Sequence, residues 1–261
     1  MSGDRPAAVA GSFYPADPAV LARTVDEAVR AAPAPARAPK ALIVPHAGYV
    51  YSGPIAGSGY AQLLPARGTI RRVVLLGPAH RAPLRGLATS GADAFVTPLG
   101  RIEIDDDARR LVLTLPQVSM DDRAHAREHS LEVHLPFLQR TLATFRVLPL
   151  VVGMAADEEV ADVLDLVWGG PETVIVVSSD LSHHLDYDTA ATLDRRTAEA
   201  IVERRPGDVG VEHACGAFAV RGLLTAARRH ELTVRLLDLR SSGDTAGTHD
   251  EVVGYGAFAF A

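Results

Sequence analysis

Cysteine, lysine and tryptophan each occur once in this 261-residue chain, as Cys215, Lys40 and Trp168. A single cysteine excludes an intrachain disulfide, which fits a reducing compartment. Arginine supplies almost all of the positive charge, the formal net charge is -6, and no basic cluster stands out, so nucleic acid is not an expected partner. No apolar run approaches the roughly 20 residues that cross a bilayer, so no membrane partner is expected. Residues 1–15 lack a basic segment followed by an apolar one; no secretory signal is read, and the expected location is cytoplasmic. Walker loops and nucleophile-elbow serines are missing as well. Gly254-Tyr255-Gly256-Ala257-Phe258-Ala259 has dinucleotide-like spacing, but only Phe260 and Ala261 follow it, so it reads as a strand.

What the chain does have is a recurrence: three apolar runs, each leading into histidine. Ala41 to Val44 runs into Pro45-His46-Ala47-Gly48-Tyr49, Val73 to Leu76 into Gly77-Pro78-Ala79-His80, and Val174 to Val177 into Ser178-Ser179-Asp180-Leu181-Ser182-His183-His184. Short β-branched runs without polar alternation are the pattern of strands buried on both faces of a parallel sheet. Ligands in open α/β sheets bind beyond the carboxyl ends of such strands, so the histidines are expected to gather along one edge.

The rest of the chain alternates in the same manner. A capped amphipathic helix is predicted from Asp17-Pro18 through Val29, then a stiff Ala/Pro linker over 32–39. Further helices are predicted over 52–64, 105–115, 157–168, 189–204 and 215–229, and further strands over 147–152, 234–239 and 252–260. The region 87–104 reads as short strands around a turn at Pro98-Leu99-Gly100. The expectation is one α/β domain over 1–261, with a central mostly parallel or mixed sheet flanked by helices.

Chemistry concentrates in a few side chains. His46 and His80 are the first ligand candidates, since neutral imidazole binds zinc, copper and iron; the plainer alternative is that each caps its strand. Cys215, in His213-Ala214-Cys215-Gly216, is placed at a helix start that would favour the thiolate, or else is a small buried apolar residue. His183, three residues after Asp180, suits a general base oriented by that carboxylate, and a solvated loop is the alternative. Glu128-His129-Ser130-Leu131-Glu132-Val133-His134-Leu135-Pro136 spaces its histidines five apart, not four, so it is not the zinc-protease helix, and Pro136 would delay or kink a helix there. His129, Glu132 and His134 read as groups that line the pocket or orient the ligands.

These stretches, with Ala10-Gly11-Ser12-Phe13-Tyr14-Pro15 and Ser242-Gly243-Asp244, resemble the Memo family, whose prokaryotic members are called AmmeMemoRadiSam system protein B. They occur in order along nearly the whole chain. The family is similar in fold to class III extradiol dioxygenases, which are non-haem iron enzymes. The resemblance implies that His46 and His80 take the two histidine ligand positions, that Cys215 replaces the dioxygenases' glutamate, and that His183 matches their catalytic histidine, with Tyr49 and Asp180 near the pocket. A thiolate in place of a carboxylate shifts preference toward copper, zinc or a different iron chemistry, so ring cleavage does not carry across.

The leading expectation is a mononuclear iron(II) or copper site for redox or oxygen-dependent chemistry on a small molecule or peptide. Two alternatives stay open: a binding or adaptor protein that uses the pocket for a peptide, a metabolite or a radical-enzyme partner without turnover, and a zinc-dependent hydrolase.

Overall fold

A computed structural model describes residues 3–33, 35 and 37–261. Of the stretch read as a linker, Ala34 and Ala36 lie outside the described residues. The first helix, α1 (Pro18–Arg30), is capped by the Asp17 side chain, which accepts from Val20 N, and its buried stripe is Leu21, Val25 and Val29, as the helical spacing predicts. The strands that follow are β1 (Ala41–Val44), β2 (Arg72–Pro78), β3 (Leu87–Thr89), β4 (Ala94–Thr97), β5 (Gly100–Glu103), β6 (Val118–Met120), β7 (Arg146–Val152), β8 (Thr173–Ser178), β9 (His183–Leu185), β10 (Val234–Ser241) and β11 (Val252–Phe260). The remaining helices are α2 (Tyr49–Tyr60), α3 (Asp106–Val112), α4 (Asp122–Ala126), α5 (Leu135–Thr141), α6 (Asp157–Leu166), α7 (Tyr187–Val202) and α8 (Ala217–Arg229).

The main sheet runs β10-β11-β1-β8-β2-β7-β3-β6, with β9 pairing β11, while β4 and β5 form a separate hairpin. Its centre is parallel: β8 lies between β1 and β2, and β7 flanks β2. Antiparallel pairings of β11 with β1 and β3 with β7 make the whole sheet mixed. The expected α/β architecture is therefore what the chain adopts.

Residues along each central strand alternate between two cores, which is why the runs show no polar alternation. Ile43, Val74, Leu76, Ile175 and Val177 join the core beneath α6 and α8. Leu42, Val44, Val73, Leu75, Val174 and Val176 join the opposite core, with side chains of α1, α2 and α5. The consequence for function is geometric. β1, β8 and β2 run the same way side by side, with Val44 level with Ser178 and Leu76 level with Val177, so the residues just past them share one edge.

Several boundaries differ from expectation for local reasons. The helix after β1 starts at Tyr49, ahead of Ser52, and closes in a 3-10 segment over Ala61–Ala66. Pro136 does delay its helix: a 3-10 turn spans Glu132–His134 and α5 follows, with the proline in its first turn, where a missing N–H costs nothing. The loop around His183 contains the short strand β9, held to β11 through Val253 and Val252. The last helix begins at Ala217 after Gly216, so Cys215 precedes the helix and does not open it.

Candidate metal centre

His46 lies two residues past β1 and His80 two residues past β2, and their ring centroids are 5.2 Å apart. Between them stands Ser178, the last residue of β8. Its hydroxyl donates to Ser130 O at 2.7 Å and faces His46 Nδ1 at 2.6 Å and His134 Nε2 at 2.8 Å. A serine has one proton to give, and it goes to the carbonyl, so both imidazoles must be the donors. His46 is thereby fixed as the Nδ1–H tautomer, with the lone pair of Nε2 free. Burial pushes the pKa of both rings down, His80 and His129 adding to the effect at His46, so both are neutral.

A carboxylate does for His80 what Ser178 does for His46. Glu128 Oε2 accepts the His80 backbone N–H at 2.7 Å and Oε1 lies 3.0 Å from His80 Nδ1, which again leaves Nε2 unoccupied. Oε1 also accepts the backbone N–H groups of His129 and Ser130. Burial alone would raise this carboxyl, but the His80 ring bond and the backbone donors outweigh it and hold the pKa at about 2. A permanently ionised acceptor behind a histidine is a common way to orient a metal-binding ring.

The third donor arrives from the loop before α8. Cys215 Sγ is 3.3 Å from His46 Nε2 and accepts the Asp180 N–H at 3.3 Å, while Cys215 N donates to Asp180 O. Gly216 makes this approach possible: a Cβ there would stand 2.5 Å from Ser178 O and 2.7 Å from Ser179 Cβ. The expectation that a helix start lowers the thiol pKa is overturned. Burial pushes it well up, the Asp180 carboxyl adds to this, and the hydrogen-bond donors around the sulfur offset only part. Cys215 stands just ahead of the N-cap Gly216, and burial outweighs what the start of α8 contributes there.

One ligand atom each from His46, His80 and Cys215 lies within 4.8 Å of the other two. Two donors on one tetrahedral zinc-like ion, with bonds of about 2.0–2.1 Å to nitrogen and 2.3 Å to sulfur, lie about 3.6 Å apart. Two imidazoles whose Nδ1 atoms are engaged elsewhere and a thiol at this spacing fit a mononuclear ion.

The other expected site residues fall into different places. His129 stacks on His80, with centroids 4.8 Å apart and planes 17° from parallel, and carries Phe13 on it at 4.6 Å. Asp180 is buried behind His46, its Oδ1 accepting His46 N at 2.7 Å, and burial raises its pKa. It does not orient His183, whose Nδ1 instead donates to Leu181 O at 2.8 Å. His183 is exposed on β9 and acts electrostatically on both His46 and Asp180. His134 reaches His46 only through Ser178.

Glu132 and Tyr49 do not line the centre. Glu132, fully buried, pairs with Arg5 at 2.7 Å and accepts from Ala8 N, Val9 N and Tyr14 Oη, so it clamps the N-terminal segment onto the body. Tyr49 donates to Val133 O at 2.5 Å and packs between Tyr14 and Phe137. Glu128, Ser130 and Ser178 support the site instead, and no spacing rule singles them out: their partners are far away in sequence. Proximity of Glu128 to His129 was the only available hint.

Fold and cluster together define a class: an α/β protein with two imidazoles and a thiol gathered where parallel strands end. The chain matches the family described as Memo-like protein over residues 5–259, and it belongs to the Memo family. MEMO1 family proteins of Aquifex aeolicus, Methanothermobacter thermautotrophicus and Aeropyrum pernix are 36%, 34% and 37% identical to it. Those alignments cover 96%, 95% and 95% of this chain and 97%, 97% and 96% of the relatives. In fold it is similar to an uncharacterized protein of Escherichia coli K12 (TM-score 0.50, 14% identity, 84% of this chain and 99% of that one).

Proposed function

We propose that this Memo-family protein is a metalloprotein in which His46 Nε2, His80 Nε2 and the Cys215 sulfur hold one ion, iron(II) in the first place, with copper or zinc as alternatives. The observation that carries the reading is the convergence of these three donor atoms, from three distant segments, within 4.8 Å. The tautomers support it, because Ser178 and Glu128 occupy Nδ1 of each ring and leave Nε2 to the centre. A redox-active ion there would supply electron transfer or oxygen activation, and a thiolate donor favours copper, zinc or an iron chemistry unlike that of carboxylate sites.

The protein's own part is proton handling and exclusion of water. With Nδ1–H committed to Leu181 O, His183 keeps Nε2 free to take a proton from a bound ligand. Phe13 packs tilted against His129, which itself stacks on His80, and so places apolar surface beside the imidazole cluster. The thiol must lose its proton to bind metal, against the burial that raises its pKa, so metal uptake should release a proton. The test is elemental analysis of anaerobically purified protein beside Cys215→Ala and His183→Ala. About one ion per chain is expected in the wild type and His183→Ala, and little in Cys215→Ala; unchanged metal in Cys215→Ala removes the sulfur from the site.

A further inference from the structure

A cleft of about 400 Å³ opens beside Cys215, with no histidine in its lining. This is within the range of about 300–1,000 Å³ for small-molecule sites. Its walls are largely apolar, including Ala79, Leu84, Val152, Met154 and Phe218; Cys215 also lines it, and Arg85 brings charge to it. Met154 is 57% exposed, a large apolar side chain left facing water.

The cleft is built on backbone, not on loose side chains. Ala79 N donates to Val152 O, Gly86 N to Met154 O, Met154 N to Leu84 O and Gly153 N to Gly86 O, stitching the loop after His80 to the end of β7. Gly153 permits the seam, since a Cβ there would lie 2.1 Å from Leu84 O.

Arg85 gives this cleft a positive rim. Arg85 makes no ion pair or side-chain hydrogen bond among the described residues, and none of the residues lining the cleft is acidic. Some charges in the other clefts are held internally. In the one beside α7, Arg205 pairs with Asp208, and in the one beside Trp168 the Lys40 ammonium is taken up by the carbonyls of Trp168, Gly170 and Thr173. A lone guanidinium beside an apolar trough, without a counter-ion, is complementary to one negative charge on an apolar body.

We infer that this cleft binds a small monocarboxylate with an apolar tail or ring, its carboxylate on Arg85 and its body along Leu84, Val152 and Phe218 toward Cys215. This deepens the metal-site reading by naming the ligand class, and rests on it only for what happens after binding; occupancy of the cleft itself requires no ion.

The probes are hexanoate and benzoate with their neutral amides, titrated into metal-free protein while the methyl resonances of Leu84, Val152 and Met154 are followed by NMR. Both acids, or one of them, should shift these methyls and bind about tenfold more tightly than the matching amide, a difference of about 1.4 kcal/mol. Arg85→Gln, an exposed change that leaves no partner behind, should lower the acid to the affinity of its amide and leave the amide unaffected. Equal binding of acid and amide, indifference to Arg85→Gln, or no shift with any of the four probes overturns the inference. Metal content of the same preparations is measured separately, so loss of the metal reading with carboxylate binding intact, or the reverse, tells the two apart.

Discussion

Ser178→Ala is the sharpest perturbation of this site, because one hydroxyl holds together three groups from two distant segments. Removing it leaves His46 Nδ1–H, His134 Nε2–H and Ser130 O without their partner in a fully buried place. Each unsatisfied buried group costs about 1–3 kcal/mol. The lower figure suits these three, since each ring can move its proton to the other nitrogen, and the total is about 3 kcal/mol. For a chain of this size that lowers Tm by about 6–12 °C. The same freedom has a second consequence. Once Nδ1 of His46 is no longer committed, the Nε2–H tautomer competes and blocks the lone pair directed at the centre. Loss of a group that orients a metal-bound histidine weakens metal affinity about 10–100-fold. Thermal unfolding of the metal-free protein reads the first effect and competition with a chromophoric chelator reads the second. A Ser178→Ala protein with unchanged Tm and unchanged affinity would refute the reasoning on both counts.

Three further outcomes follow from other parts of the structure. Gly216→Ala places a methyl 2.5 Å from Ser178 O, so the segment carrying Cys215 must shift; a loss of about 1–3 kcal/mol is expected, with weakened metal binding, and calorimetry with metal analysis checks both. Glu132→Gln leaves the Arg5 guanidinium buried without a full counter-charge, which should cost about 3 kcal/mol in denaturant unfolding. Burial holds His125 near a pKa of about 4 against 6.5, so the unfolded chain binds more protons between those values and stability must fall with acidification. The contribution is whole above pH 6.5 and lost by about pH 4, about 3 kcal/mol in all, and His125→Phe should flatten that part of the stability-pH curve.

The parts of this protein legible in its sequence are those fixed by strong local patterns. Strands β1, β2 and β8 carry apolar runs without polar alternation because helices cover both their faces, and His46 and His80 follow β1 and β2 at equal spacing. Asp17 and Pro18 mark the first helix as plainly as any cap can. What stayed hidden depends on distant partners. Nothing near Ser178 in sequence reveals that His46 and His134 converge on it, 132 and 44 residues away. Glu132 sits inside the same motif as His129, yet it serves the N-terminal segment, and only its 127-residue link to Arg5 discloses that. The raised thiol pKa is hidden for a similar reason: the groups that bury Cys215, Asp180 and His46 among them, come from segments far along the chain.

Anomalous diffraction tests directly whether the three donor atoms share one ion. Data collected at the iron, copper and zinc edges, on crystals grown without added metal, should give one peak within about 2.0–2.3 Å of His46 Nε2, His80 Nε2 and Cys215 Sγ. A peak bonded to the two imidazoles but remote from the sulfur, or an ordered trio of side chains with no anomalous signal at any of these edges, would contradict it.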